Sequence, residues 1–210
     1  MSFRGLLQKT GLYPGWKKLG HYPDFWYWKL RGQPTRSPHL LKQRTVKEYA
    51  ARFEIKILVE TGTYYGEMVD AIKRDFDRIY TVEMDPDLVA HARARFAAYP
   101  HIQVLQGKSE QVIPELLRSI TAPSLFWLDA GYFGWAGHRM PDFENRLQSE
   151  VQAILDHPVT NHVILIDDAR TFSGQDGVPS LEEFRKFVQR GRHGWAVTVQ
   201  RDMVRICRQR

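Results

Sequence analysis

Cysteine is nearly missing from this chain. Cys207 is the single one in 210 residues, which excludes an intrachain disulfide and a cysteine-built metal cluster. Long apolar runs are missing too: no stretch approaches the roughly 18 residues of a membrane span. The N-terminal MSFRGLLQKTGLYPGWKK has no long apolar core and no small-residue cleavage site, so a cytoplasmic location is the expectation. There is no internal repeat and no dense block of basic residues of the kind that binds nucleic acid. A G-x-G-x-x-G dinucleotide fingerprint does not occur after any apolar run.

What is present is a globular composition, 43% hydrophobic and 26% charged, which suits one domain with a sizeable core. The net charge is +6, and ten basic residues lie in the first fifty: Arg4, Lys9, Lys17, Lys18, Lys29, Arg31, Arg36, Lys42, Arg44 and Lys47. These read as a solvated surface, with attraction to anionic partners as the second reading. Residues 1–38 are rich in proline, glycine and aromatics, and the cluster HYPDFWYW is too aromatic for a disordered tail. They read as an irregular basic and aromatic arm. Tyr22, Phe25, Trp26, Tyr27 and Trp28 need something to pack on: the main domain, a second copy of the chain, or a membrane surface.

From residue 39 to 210 the pattern becomes regular. Apolar runs IKILV, RIYTVEM, IQVLQG, SLFWLDA and HVILIDD read as strands. Between them lie helical patterns, among them DPDLVAHARARF with an Asp85 cap and Pro86 at its first position. The segment SLEEFRKFV carries a capping box, Ser180 with Glu183. WAVTVQ and MVRIC then make a hairpin around Arg201 and Asp202. Five strands alternating with helices predict a parallel α/β sheet covered on both faces. The hairpin brings the count to seven. Ligands of such sheets bind beyond the strand C-termini, at the topological switch point.

The first strand run is followed by ETGTYYG, residues 60–66, and the second ends in Glu83. The third is followed by Gly107, Lys108 and Ser109; the fourth ends at Asp129, and the fifth at Asp167 and Asp168. VETGTYYG and IYTVEMD resemble the first two motifs of the class I S-adenosylmethionine-dependent methyltransferases. The resemblance covers residues 39–207. It is closest to a bacterial group related in outline to macrocin-type sugar O-methyltransferases and cephalosporin-hydroxylase-like proteins. It implies a Rossmann-like class I methyltransferase fold, a mostly parallel seven-stranded sheet with helices on both faces and the last strand antiparallel, preceded by the aromatic-rich arm.

The residues fit that cofactor on physical grounds. An acidic side chain before the turn suits a ligand with an ammonium and a sulfonium, and would repel a pyrophosphate. Glu60, Gly62, Thr63 and Gly66 are the expected cradle, Glu83 the acceptor of the ribose hydroxyls, and Ser109 and Asp129 further contacts. Ser109 reads equally well as a helix cap, Glu60 as a cap carboxylate, and Asp129 as a contact to the methionine end of the cofactor or to a loop. Many relatives carry an acid where Lys108 stands.

Asp129, Asp167 and Asp168 gather on neighbouring strands, and such a set is costly unless a cation or protons neutralise it; Asp168 also reads as the cap of a turn. Catechol-type and macrocin-type methyltransferases use a similar set to hold a divalent metal that binds the acceptor, so the resemblance implies Mg²⁺ or another divalent ion here. For catalysis it implies Asp129 and Tyr132. The histidine that relatives carry in L-D-G-H-Y is Gly131 in this chain, and His138 is the nearby candidate base. Arg170 reads as a binder of an anionic substrate group or as a surface ion pair. The expected acceptor is the oxygen of a small molecule or sugar; the N/D-P-P-Y/F tetrapeptide of amino-group methylation is absent, which argues against nucleic acid. Two other readings stand beside this one: an NAD(P)-dependent oxidoreductase, and a non-catalytic binding protein, peripheral at a membrane through the arm or assembled as a homo-oligomer.

Overall fold

The β-branched and aromatic runs pair into a single sheet, and the central runs SLFWL and VILI are buried on both faces. The computed structural model describes residues 22–32, 37–129, 143–175, 178–190 and 194–208. In chain order the elements are α1 (Tyr22–Leu30), α2 (His39–Arg52), β1 (Ile57–Thr61), α3 (Glu67–Ile72), β2 (Arg78–Glu83), α4 (Pro86–Phe96) and β3 (Ile102–Gln106). There follow α5 (Ser109–Leu117), β4 (Ser124–Leu128), α6 (Phe143–Leu155), β5 (Val163–Ile166), a 3₁₀ turn (Ala169–Thr171), α7 (Leu181–Gln189), β6 (Trp195–Gln200) and β7 (Met203–Arg208).

The strand order is β3-β2-β1-β4-β5-β7-β6. β1 to β5 are parallel to their neighbours, and β7 runs antiparallel between β5 and β6. The chain moves outward from β1 to β3 and then returns to place β4 on the other side of β1. The switch point is therefore between β1 and β4, and the ends of those strands face a crevice. Two apolar layers hold the helices on. One joins Phe126, Ile164 and Leu128 to Leu147, Val151 and Phe184; the other joins Leu58, Leu125 and Leu165 to Val46, Val69 and Phe96. Trp127 belongs to the second layer and is core.

Two expectations shift. β1 begins two residues later than the IKILV run and extends through Glu60 and Thr61, so Glu60 lies within the sheet. The arm is not irregular throughout, for Tyr22–Leu30 forms a helix. Phe25 lies under the Arg44 guanidinium of α2, with 5.1 Å from cation to ring centre, and Trp28 is buried while Trp26 stays exposed. Among the described residues no helix is long and apolar enough to cross a membrane.

The β6–β7 turn places both Arg201 (φ 53°) and Asp202 (φ 60°) in the left-handed region, the geometry of a two-residue hairpin turn. Arg-Asp is a poor sequence for it. Its strain is offset by hydrogen bonds: Ser37 Oγ donates to Arg201 O (2.5 Å), Ala169 N to Asp202 O (2.9 Å) and Arg170 N to Asp202 Oδ1 (2.9 Å). Those bonds also fasten the turn beside the end of β5.

Candidate functional site

The crevice at the switch point is lined by Thr61, Gly62, Val82, Glu83, Met84, Gly107, Ser109, Asp129, Arg146, Leu147 and Glu150. Its rear wall begins with the turn after β1. Gly62 (φ 79°) turns the chain, and the amides of Gly62 (2.9 Å) and Thr63 (3.3 Å) donate to Val82 O of the neighbouring strand. Gly66 has a different role. Its φ is 73°, and a Cβ there would lie 2.7 Å from the Phe96 ring, so it allows α3 to seat against α4 and does not line the crevice.

Glu60 is 2% exposed and sits behind the wall rather than on it. Thr81 Oγ1 donates to its Oε2 at 2.5 Å, and Thr63 and Thr81 hydroxyls meet at 2.5 Å. With the Thr81 proton directed at Glu60, Thr63 is the donor of that second bond. Thr63 is thus bound into a buried chain behind the crevice. Burial pushes the Glu60 carboxyl up to about 8; the Thr81 hydrogen bond opposes this, and the carboxylates of Asp129 and Glu83 add to it.

Glu83, also 2% exposed, is held by the backbone. Its Oε2 accepts from Tyr64 N (2.9 Å), and its Oε1 from Met84 N (2.8 Å) and Asp85 N (3.0 Å). These three amides fix the orientation of the carboxylate at the crevice. Asp85 caps α4, accepting from Asp87 N (2.9 Å) and Leu88 N (3.1 Å).

Ser109 does not cap α5. It lies inside the helix after Lys108, and its hydroxyl donates to Glu150 Oε1 of α6. Burial pushes Glu150 up to about 7, against the Ser109 hydrogen bond and the charge of Arg146. Arg146 itself donates through Nε to Glu110 Oε2 at 3.1 Å. Sequence reasoning did not select Glu150, Arg146 or Leu147. The signal for Glu150 was present: it falls between Leu147 and Ile154 on the apolar face of its helix. An acid on a buried stripe is a candidate site residue.

At the other end of the crevice, Asp129, Asp167 and Asp168 come together as expected, with one carboxylate oxygen from each lying within 4.8 Å of the others. Asp129 is the exposed member, and its amide donates to Thr61 Oγ1 at 3.3 Å. Asp167 is buried, and its Oδ1 accepts from Asp168 N at 2.8 Å. Asp168 holds a left-handed backbone (φ 57°, ψ 48°), strained for a residue with a Cβ, and its carbonyl accepts from Thr171 N and Oγ1, each at 2.8 Å.

Among the described residues the trio has two protein cations beside it. Lys42 Nζ of α2 bonds Asp167 Oδ2 and stands 3.7 Å from Asp168 Oδ1. Arg170 donates from an Nη atom to Asp168 Oδ1 at 2.8 Å and pairs with Asp202. Arg170 is thus an internal ion-pair partner of the trio. Burial raises the Asp167 carboxyl, and the Lys42 ammonium draws it back. Lys42, read from sequence as surface charge, is a site residue that sequence reasoning missed. Tyr132 and His138 lie outside the described residues.

No protein-family model matches the sequence, and no curated protein matches it. Solved structures do match. An O-methyltransferase from Bacillus cereus, in complex with S-adenosylhomocysteine, superposes with a TM-score of 0.61 at 12% identity, covering 86% of each chain. TomG, an O-methyltransferase of tomaymycin synthesis from Streptomyces achromogenes in complex with S-adenosylmethionine, gives 0.56 at 15% identity, covering 86% of this chain and 85% of its own. The S-adenosylhomocysteine-bound methyltransferase PaMTH1 of Podospora anserina gives 0.56 at 18% identity, with 91% and 88% covered. At these identities the likeness is one of fold. The fold is the Rossmann-like one of class I methyltransferases, as the sequence motifs implied.

Proposed function

We propose that this chain is an S-adenosylmethionine-dependent methyltransferase acting on an oxygen of a small molecule or sugar. The observation that carries the reading is Glu83, a buried carboxylate oriented by three amides at the end of β2, facing the crevice beside the Gly62 turn. Such a group accepts hydrogen bonds from a ribose diol and repels a phosphate. The three solved neighbours, each a methyltransferase with S-adenosylmethionine or its product, support the same cofactor.

When bound, the cofactor supplies an electrophilic methyl group on a sulfonium. This chain's residues do the positioning. Gly62 allows close backbone approach, Glu83 takes the ribose hydroxyls, and Ser109 with Glu150 closes the far end of the crevice. Asp129 places negative charge near the positive end, and Glu60, behind the wall, adds its own only on losing its proton. Asp129, exposed at the crevice, is the carboxylate set to orient an acceptor hydroxyl and take its proton. Tyr132 and His138, in the segment that follows β4, remain proposed contributors. Residues 39–210 form the catalytic domain, with residues 1–38 as its arm.

Calorimetry tests this. S-adenosylhomocysteine is expected to bind and NAD not to, with Glu83→Ala weakening S-adenosylhomocysteine about tenfold or more. NAD binding without S-adenosylhomocysteine binding would sink the reading. Cofactor binding with no labelled methyl transfer to any hydroxyl compound would favour a binding protein instead.

A further inference from the structure

We propose that the acidic trio takes its cation from the chain itself: the ammonium of Lys42 occupies the place beside Asp129, Asp167 and Asp168 that a divalent metal would hold. The inference rests on the methyltransferase reading only in assigning an acceptor to this end of the crevice.

The first support is contact. Lys42 Nζ bonds Asp167 and lies 3.7 Å from Asp168, so it stands against two of the three carboxylates a metal would need. The second is burial. The side chains of Lys42, Asp167 and Asp168 are 14%, 8% and 11% exposed, which shields the cluster from bulk ions and makes the ammonium depend on these partners. The third is local placement. Lys42 lies in the first turn of α2, its amide bonded to Pro38 O at 3.3 Å, where the helix dipole disfavours a cation. Its neighbours Leu41 and Gln43 are both buried. Nothing within α2 favours a lysine there; the trio does.

Charge accounting points the same way. Among the described residues, three carboxylates face one ammonium, and one guanidinium that Asp202 shares. A divalent ion among the three oxygens would stand against the fixed ammonium, so it could enter only by driving Lys42 out. With Lys42 in place, Asp129 keeps its exposure to the crevice. An ammonium carries three N–H donors, and one is spent on Asp167. The other two stay on the side of the trio, with Asp168 Oδ1 3.7 Å away. Lys42 is thus a positioning residue that would hold the acceptor with one positive charge in place of two.

Mn²⁺ binding to the metal-stripped full chain, read by electron paramagnetic resonance, tests this without any methyl donor. The wild type and Asp129→Asn are expected to bind Mn²⁺ equally weakly. Lys42→Gln is expected to bind about tenfold or more tightly than wild type, Lys42→Gln with Asp129→Asn to lose that gain, and Lys42→Arg to stay closed. Wild-type Mn²⁺ binding that Asp129→Asn abolishes would overturn the proposal, as would a folded Lys42→Gln with no gain. Should Lys42→Gln fail to fold, the comparison of wild type with Asp129→Asn decides alone. Affinity for S-adenosylhomocysteine, measured separately, reports on the cofactor reading and is independent of these outcomes.

Discussion

Glu60 holds its proton near neutrality, because burial first, and then the charges of Asp129 and Glu83, push its carboxyl up to about 8. A cation in the crevice favours the ionised form, so binding a sulfonium should expel that proton. The ionised fraction grows as pH rises through about 8. Affinity for S-adenosylmethionine relative to S-adenosylhomocysteine is therefore expected to rise several-fold from pH 6 to pH 9. Calorimetry in buffers of different ionisation enthalpy would read the released proton, and Glu60→Gln should abolish both effects. A flat affinity ratio would show that Glu60 is merely a buried structural acid. ETGTYYG displayed the acid and the glycines plainly. It did not display that Glu60 lies behind the wall, because that depends on β1 continuing two residues further against Thr81 and Trp127.

Elements are positioned by close approaches that single residues permit. Gly66→Ala would press a Cβ into the Phe96 ring and place it at φ 73°. The expected loss is about 1–3 kcal/mol, read as a lower midpoint in chemical denaturation. The hairpin offers the opposite change. Arg201 occupies a left-handed position that Asn adopts more easily, while the Ser37 bond to its carbonyl would persist. Arg201→Asn is expected to stabilise by about 0.5–1 kcal/mol, or about 1–4 °C in Tm. No gain would mean that the Arg201 side chain contributes as much as its backbone strain costs. From residue 39 on, the helices and strands were legible from periodicity, including the Asp85 cap and the Ser180–Glu183 box; the helix at Tyr22–Leu30 was not. Ser109 was less so, since a serine at a helix start reads as a cap whether or not a buried carboxylate waits on another helix.

Across the whole molecule, buried titratable groups set opposing pH limits. The raised carboxyls, Glu150 at about 7 and Glu60 at about 8, contribute stability that is complete below their ordinary value of 4.5 and is lost as pH rises through those figures. His162 runs the other way. Burial first, then His157, lowers it from 6.5 to about 4, so its contribution is whole above 6.5 and is lost as pH falls through about 4. Its ring accepts from Ser124 N at 3.0 Å and meets His157 at 2.9 Å, and His157 in turn reaches Leu117 O at 2.9 Å, a chain suited to neutral imidazoles. Thermal stability is thus expected to peak on the acid side of neutrality. Glu150→Gln should raise stability at pH 8 by about 1–3 kcal/mol and flatten the alkaline limb. A peak above pH 8 would contradict this.

The sequence by itself determined the class of sheet and the end of it that carries chemistry. Hydrophobic periodicity and alternation are local, and strand C-termini can be read from where apolar runs stop. It also brought Asp129, Asp167 and Asp168 to one edge, because strands four and five must be neighbours in such a sheet. Only the tertiary structure decided what neutralises them. Lys42 comes from a helix before β1, Arg170 is shared with a hairpin tip more than thirty residues on, and Glu150 meets Ser109 across two helices. Pairings between residues so far apart in sequence follow from how elements pack, and no local pattern encodes them.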